Sequence, residues 1–182
     1  MSDLEQAAEA WIAGYFNERH LLRTRDWLVW LDPGASEAAK VAALTHDIER
    51  RVPGGPRLDP RVQAWDDPAY LREHSQRSAR LVGEWLGDSP LRPEVERLIA
   101  HHETGGEGAE MLQAADSLSF LEVNAGRARA WVDEGRCDVA QAQAKLDWMR
   151  DRIRDIPVAR NEAAKLHRRA SEALAAQRSE SM

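Results

Sequence analysis

The chain has 182 residues, enough for one domain with a sizeable core and short for two; its 43% apolar residues and seven tryptophans exclude a disordered chain. A formal charge of −6 disfavours broad electrostatic attachment to nucleic acid, although a local basic patch can still hold a phosphate. No apolar run reaches the length of a membrane span and the acidic start MSDLEQAAEA has no basic lead-in, so the expected setting is the cytoplasm; the single Cys137 fits a reducing compartment and excludes a disulfide framework or a Cys-rich zinc site.

Helix formers dominate, β-branched residues are sparse, and no period-2 run bounded by turn residues occurs, so the expected class is all-α, a bundle of about six to eight helices. Turn signals at 31–36, 51–61, 66–68, 87–93, 103–108 and 133–137 separate the helical blocks. In the first block, Phe16, His20, Arg23, Trp27 and Trp30/Leu31 follow steps of three and four, which puts His20 on the stripe that faces a core. The block 36–51 opens with Ser36 as N-cap and is apolar nearly all round through 41–44, the mark of a buried helix that carries His46 and Asp47. The stretch 51–66 is the longest loop and the candidate rim of a site.

Asp67 and Pro68 start the next helix, 68–86, where His74 shares the stripe of Leu71, Ser78, Leu81/Val82 and Trp85. Val95, Leu98 and Ile99 place His102 on the core face of the following helix, with His101 at its flank. In 109–132, Asp116 lies within the stripe Met111, Leu112, Ala115, Ser119 and Val123. An ionised carboxylate there requires a strong hydrogen bond, a positive neighbour or a metal. Val139, Ala142, Leu146, Met149, Ile153 and Ile156 form a seam expected to pack within the molecule, with a homodimer as the other use of such a seam. Of the six histidines, His167 alone reads as solvated surface, and Cys137 has no catalytic partner.

Singly, each inward histidine is best read as a hydrogen-bonded core residue, and most of the arginines as solvated. The ordered set is another matter. His20, His46–Asp47, His74, His101–His102 and Asp116, on helices at intervals of about 26 to 28 residues, resemble the HD-domain superfamily of metal-dependent phosphohydrolases. THDIER is similar to that family's HD helix, EHSQRSARLVGEWL to its middle-histidine helix and AADSLSFLE to its final-aspartate helix. HHETGGEG resembles the HHE motif of the HD-GYP branch. The Gly-Tyr-Pro element of that branch is replaced here by GAE at 108–110, and its lysine by Arg50, which argues against cyclic dinucleotide hydrolysis.

The resemblance implies a single HD-like domain over 1–182, with a metal-binding core at about 10–130 and C-terminal helices at 136–178 packed on it. It implies two divalent transition-metal ions (Mn, Fe, Co, Ni or Zn), one held by His20, His46, Asp47 and Asp116. The second would be held by His74 and His101 or His102, with Asp47 bridging. The implied activity is hydrolysis of a phosphoester of a nucleotide or other small phosphorylated metabolite by a metal-activated hydroxide. Asp47 and Arg50 are then the catalytic candidates, and Arg23, Arg50, Arg57 and Arg61 the candidates for gripping the substrate phosphate. Glu103 is expected either to tune a neighbouring histidine or to cap a turn. Two other classes compete: a mixed-valent di-iron oxygenase, because some HD-fold proteins use a similar ligand set with oxygen, and a binding module with a vestigial site.

Overall fold

A computed structural model describes residues 1–153 and 155–176, so residue 154 and the 177–178 end of the expected C-terminal segment lie outside the described residues. Among the described residues every regular element is helical. The chain divides into two compact units, Met1–Arg57 with Pro68–Asp116, and Leu58–Asp67 with Ser117–Met182.

The first unit is built around α3 (Glu37–Thr45), which packs against α1 (Asp3–Ile12), α2 (Glu18–Leu31) and α5 (Arg92–His101); α5 in turn packs against α4 (Pro68–Leu86). Ser36 caps α3, its hydroxyl accepting the Ala39 N–H at 3.1 Å and donating to Glu94 at 3.1 Å. Ala38, Val41, Ala42, Ala43 and Leu44 are completely buried, as the all-round apolar pattern requires of a central rod. The first expected block is two helices, because the chain turns at Gly14, whose φ of 72° is one that side chains with a Cβ rarely adopt. This break turns Phe16 outward, 59% exposed, off the core stripe on which the spacing places it.

The expected helix 36–51 also ends early. α3 stops at Thr45, His46 is its C-cap, and Ile48–Arg51 form a short 3₁₀ turn. Thr45 bends its hydroxyl back to the Val41 carbonyl at 2.7 Å, and Asp47 leaves helical geometry at φ −103°, ψ 12°. The His-Asp pair therefore sits at a helix exit, and Arg50 lies on the 3₁₀ turn and not one turn further along the helix of His46.

In the second unit, α7 (Ala125–Asp133), α8 (Val139–Asp151) and α9 (Pro157–Ala176) pack on one another. α6 (Glu110–Ser119) belongs to the first unit through Asp116, and a π turn at Phe120–Asn124 precedes α7. Met111 of α6, expected on an inward stripe, is 38% exposed. α8 starts with a capping box, the Asp138 carboxylate accepting the Gln141 N–H at 2.7 Å while the Gln141 side chain accepts the Asp138 N–H at 2.9 Å. The seam residues Ala142, Leu146, Met149 and Ile153 are buried within this unit. His167, expected as solvated surface, instead bridges α9 to α8 through Asp147 at 2.6 Å.

Candidate metal centre

All the buried histidines among the described residues lie in the first unit: His20 on α2, His46 at the end of α3, His74 on α4 and His102 at the end of α5. Asp116 on α6, with Asp47, Glu49 and Glu103, brings four buried carboxylates to the same unit. Three overlapping groups have ligand atoms within 4.8 Å of one another: His20, His46 and Asp116; His46, Asp47 and His102; His74, His102 and Glu103. They form a continuous path in which His46 and His102 are shared. The rings of His20 and His46 are 5.5 Å apart, those of His46 and His102 4.9 Å, and those of His102 and His74 5.3 Å.

Local backbone sets the direction of these rings. His46 and His102 both cap a helix C-terminus, and Nδ1 of each points at the carbonyl three residues earlier, Ala43 at 3.0 Å and Ile99 at 2.7 Å. A carbonyl oxygen only accepts, so Nδ1 carries the proton and Nε2 is left to face the group interior. The third imidazole reaches the same state differently. His74 Nδ1 donates to Glu49 Oε1 at 2.8 Å, leaving its Nε2 3.0 Å from Asp47 Oδ1.

Electrostatics follow from this crowding. Burial would raise the Asp47 carboxyl, but Arg50 above all, with His74 and His46, holds it well below the usual carboxylate range. Burial opposes protonation of His46, yet contact with Asp116 and the charge of Asp47 overcome it and raise its pKa. For His74 burial and the Arg50 charge act downward, and contacts with Asp47 and Glu49 outweigh them, pushing the pKa up to about 9. His102 goes the other way: burial, helped by His46 and His74, lowers it to about 4 despite Glu103 beside it. Without a metal, the neighbouring carboxylates favour protons on His46 and His74.

The Nε2 atoms of His46 and His74 are buried without a well-formed hydrogen bond, although carboxylate oxygens lie 3.5 and 3.0 Å away. Orphaned buried polar atoms demand a partner, and a cation at the focus of the groups is one that imidazole nitrogens and carboxylates suit together. The donor set matches transition-metal ions better than an oxygen-rich magnesium cage.

Around this focus, Asp47 Oδ2 accepts from the Asn17 amide at 2.7 Å, and the Tyr15 hydroxyl donates to the Asp47 carbonyl at 3.1 Å. Tyr70 lays its ring parallel to that of His74 at 6.1 Å. Tyr15, Asn17, Glu49 and Tyr70 lie outside the ordered set of histidines and aspartates that the sequence pattern picks out. Glu49 lies three residues after His46 and faces the same site. Glu103 stands 3.7 Å from both His74 Nε2 and His102 Nε2, placing it among the candidate ligands themselves.

His101 is half-buried and belongs to none of the three groups, whereas His102 belongs to two of them. Among the arginines, Arg50 reaches Asp47 Oδ1 through Nε at 3.1 Å with 38% of its side chain exposed. Arg23 pairs with Asp26 at 3.1 Å and lies over the Trp27 ring, and Arg57 is exposed. The loop expected as a rim is divided between the units: Arg61 belongs to the second, where it grips both oxygens of Asp59 at 2.9 and 2.8 Å.

Comparison with protein-family models, curated proteins and solved structures finds no match to this chain.

Proposed function

We propose that the chain is a metal-dependent phosphohydrolase of the HD type, acting on a small phosphoester such as a nucleotide. The observation that carries this reading is the shared orientation of the imidazoles of His46, His74 and His102. Each has its Nδ1 proton committed to a carbonyl or carboxylate and its Nε2 turned toward buried carboxylates. The first position would use His20, His46 and Asp116, the second His74, His102 and Glu103, with Asp47 between them. Two divalent ions so held would acidify a water and neutralise phosphoryl oxygens during in-line attack.

The chain's own groups have distinct tasks in that reaction. Asp47 stays ionised under the influence of Arg50 and is anchored by Asn17, so its carboxylate acts as a fixed acceptor that orients the attacking water. Arg50, half-exposed beside Asp47, offers its remaining guanidinium N–H groups to a phosphoryl oxygen.

Metal analysis of freshly purified protein, followed by a panel of phosphomonoesters and phosphodiesters with Mn, Fe, Co, Ni or Zn, tests the reading. Bound metal and phosphate release without oxygen uptake are expected. Oxygen consumption with the EPR signal of a half-reduced di-iron pair would replace the hydrolase by an oxygenase, and a wild-type protein that takes up no metal would end both.

A further inference from the structure

Glu49 is almost completely buried, only two residues beyond Asp47, yet it is not in any of the three ligand groups. Its two oxygens face different neighbours. Oε1 accepts the His74 Nδ1 proton at 2.8 Å, while Oε2 lies 3.8 Å from Arg77 Nε with no hydrogen bond to it. The backbone N–H of Glu49 is directed at the Ser78 hydroxyl, 3.4 Å away on α4.

Arg77 spends its terminal nitrogens on the adjoining loop, donating to the carbonyls of Gly54 at 3.1 Å, Val52 at 3.3 Å and Pro53 at 2.7 Å. Gly55 completes the enclosure, since a Cβ there would stand 2.1 Å from Glu49 Oε2 and 3.2 Å from its carboxyl carbon. The loop backbone therefore closes directly over the carboxylate. A buried acid serving only an ion pair would turn an oxygen into a hydrogen bond with the guanidinium; here the short bond goes to the imidazole, and Arg77 is left to hold the loop.

We propose that Glu49 is a positioning residue that fixes the ring of His74 for the second metal position, and that through Arg77 and Gly55 it ties the loop 52–55 to that position. The inference rests on the metal-site reading above. An imidazole bonded through Nδ1 to a carboxylate presents Nε2 in a fixed direction and is a more basic ligand, and loss of such a partner typically weakens metal binding about 10- to 100-fold. A side chain at 55 would force the Glu49 carboxylate to move.

The experiment uses the full chain as wild type, Glu49→Ala, Glu49→Gln and Gly55→Ala. Each is stripped of metal, checked for helicity by circular dichroism, and titrated calorimetrically with Mn²⁺ and with Zn²⁺. Glu49→Ala should weaken one equivalent about 10- to 100-fold and leave the other at wild-type affinity. Glu49→Gln should recover most of the loss, because its amide oxygen still accepts from Nδ1. Gly55→Ala should resemble Glu49→Ala although every site side chain is retained, because the added methyl displaces the carboxylate. Amide hydrogen exchange over 50–58 in the metal-free proteins should be faster in Glu49→Ala than in wild type. A folded Glu49→Ala that binds both equivalents like wild type overturns the positioning role, and unchanged exchange overturns the tie to the loop. If the wild type itself binds no metal, the metal-site reading and the ligand-fixing role fall together, whereas exchange over the loop still decides whether Glu49 holds it.

Discussion

His46 illustrates how one side chain is given its task by its immediate surroundings. As a C-cap it directs Nδ1 back to a carbonyl that the end of a helix leaves available, and the same geometry recurs at His102. Asp47, one residue on, is bound by Asn17 and Arg50 and contacts His74, so its loss removes the negative charge at the meeting point of the groups. Asp47→Ala should abolish both metal occupancy and turnover, whereas Arg50→Ala should retain metal and show a raised KM or a lowered kcat. Metal content measured beside steady-state kinetics separates the two. An Arg50→Ala enzyme with wild-type rates would remove the arginine from the mechanism.

Helix ends, more than helix interiors, organise the site. Two of the four buried histidines are C-caps, and Asp47 lies in the two-residue interval between α3 and the 3₁₀ turn. Sequence periodicity finds rods and the faces they bury, which is why His20, His74, His102 and Asp116 were readable as inward positions. It does not find where a rod stops when no glycine or proline marks the place, so 36–51 reads as one continuous helix. The start of α3 is better signalled, by Ser36. Ser36→Ala should cost about 1 kcal/mol through loss of the Ala39 cap, measured as a shift in the urea midpoint with an unchanged slope. A variant with undiminished stability would mean that the bond to Glu94 and the N-cap contribute nothing net.

Among the described residues, the metal-site candidates belong to the first unit, and stability should carry their titration. In the metal-free protein His74 has its pKa raised from 6.5 to about 9, so its contribution is complete below pH 6.5 and is lost as pH rises through 9. His102 is lowered from 6.5 to about 4, so its contribution is complete above pH 6.5 and is lost as pH falls from there toward 4. The two oppose each other, and chelator-treated protein should have its highest melting temperature near neutrality. Saturating Mn²⁺ or Zn²⁺ should remove the alkaline decline, since an ion takes the place of the His74 proton. A metal-free melting temperature that climbs steadily through pH 9 would contradict this account of the pocket.

Local pattern was sufficient for the helical class, the central place of α3, and the inward face of the histidines, because burial and period are properties of neighbouring residues along one chain. Folding in space settled what depends on residues far apart in order: that His102 and not His101 joins the focus, that Glu103 stands with the ligand groups, and that Glu49 binds His74 from 25 positions away. It also settled that Arg61 is committed to Asp59 in the other unit. Hydrogen-bond partners and local dielectric are set by whatever the fold brings within a few ångströms, and no spacing rule along the chain contains that distance.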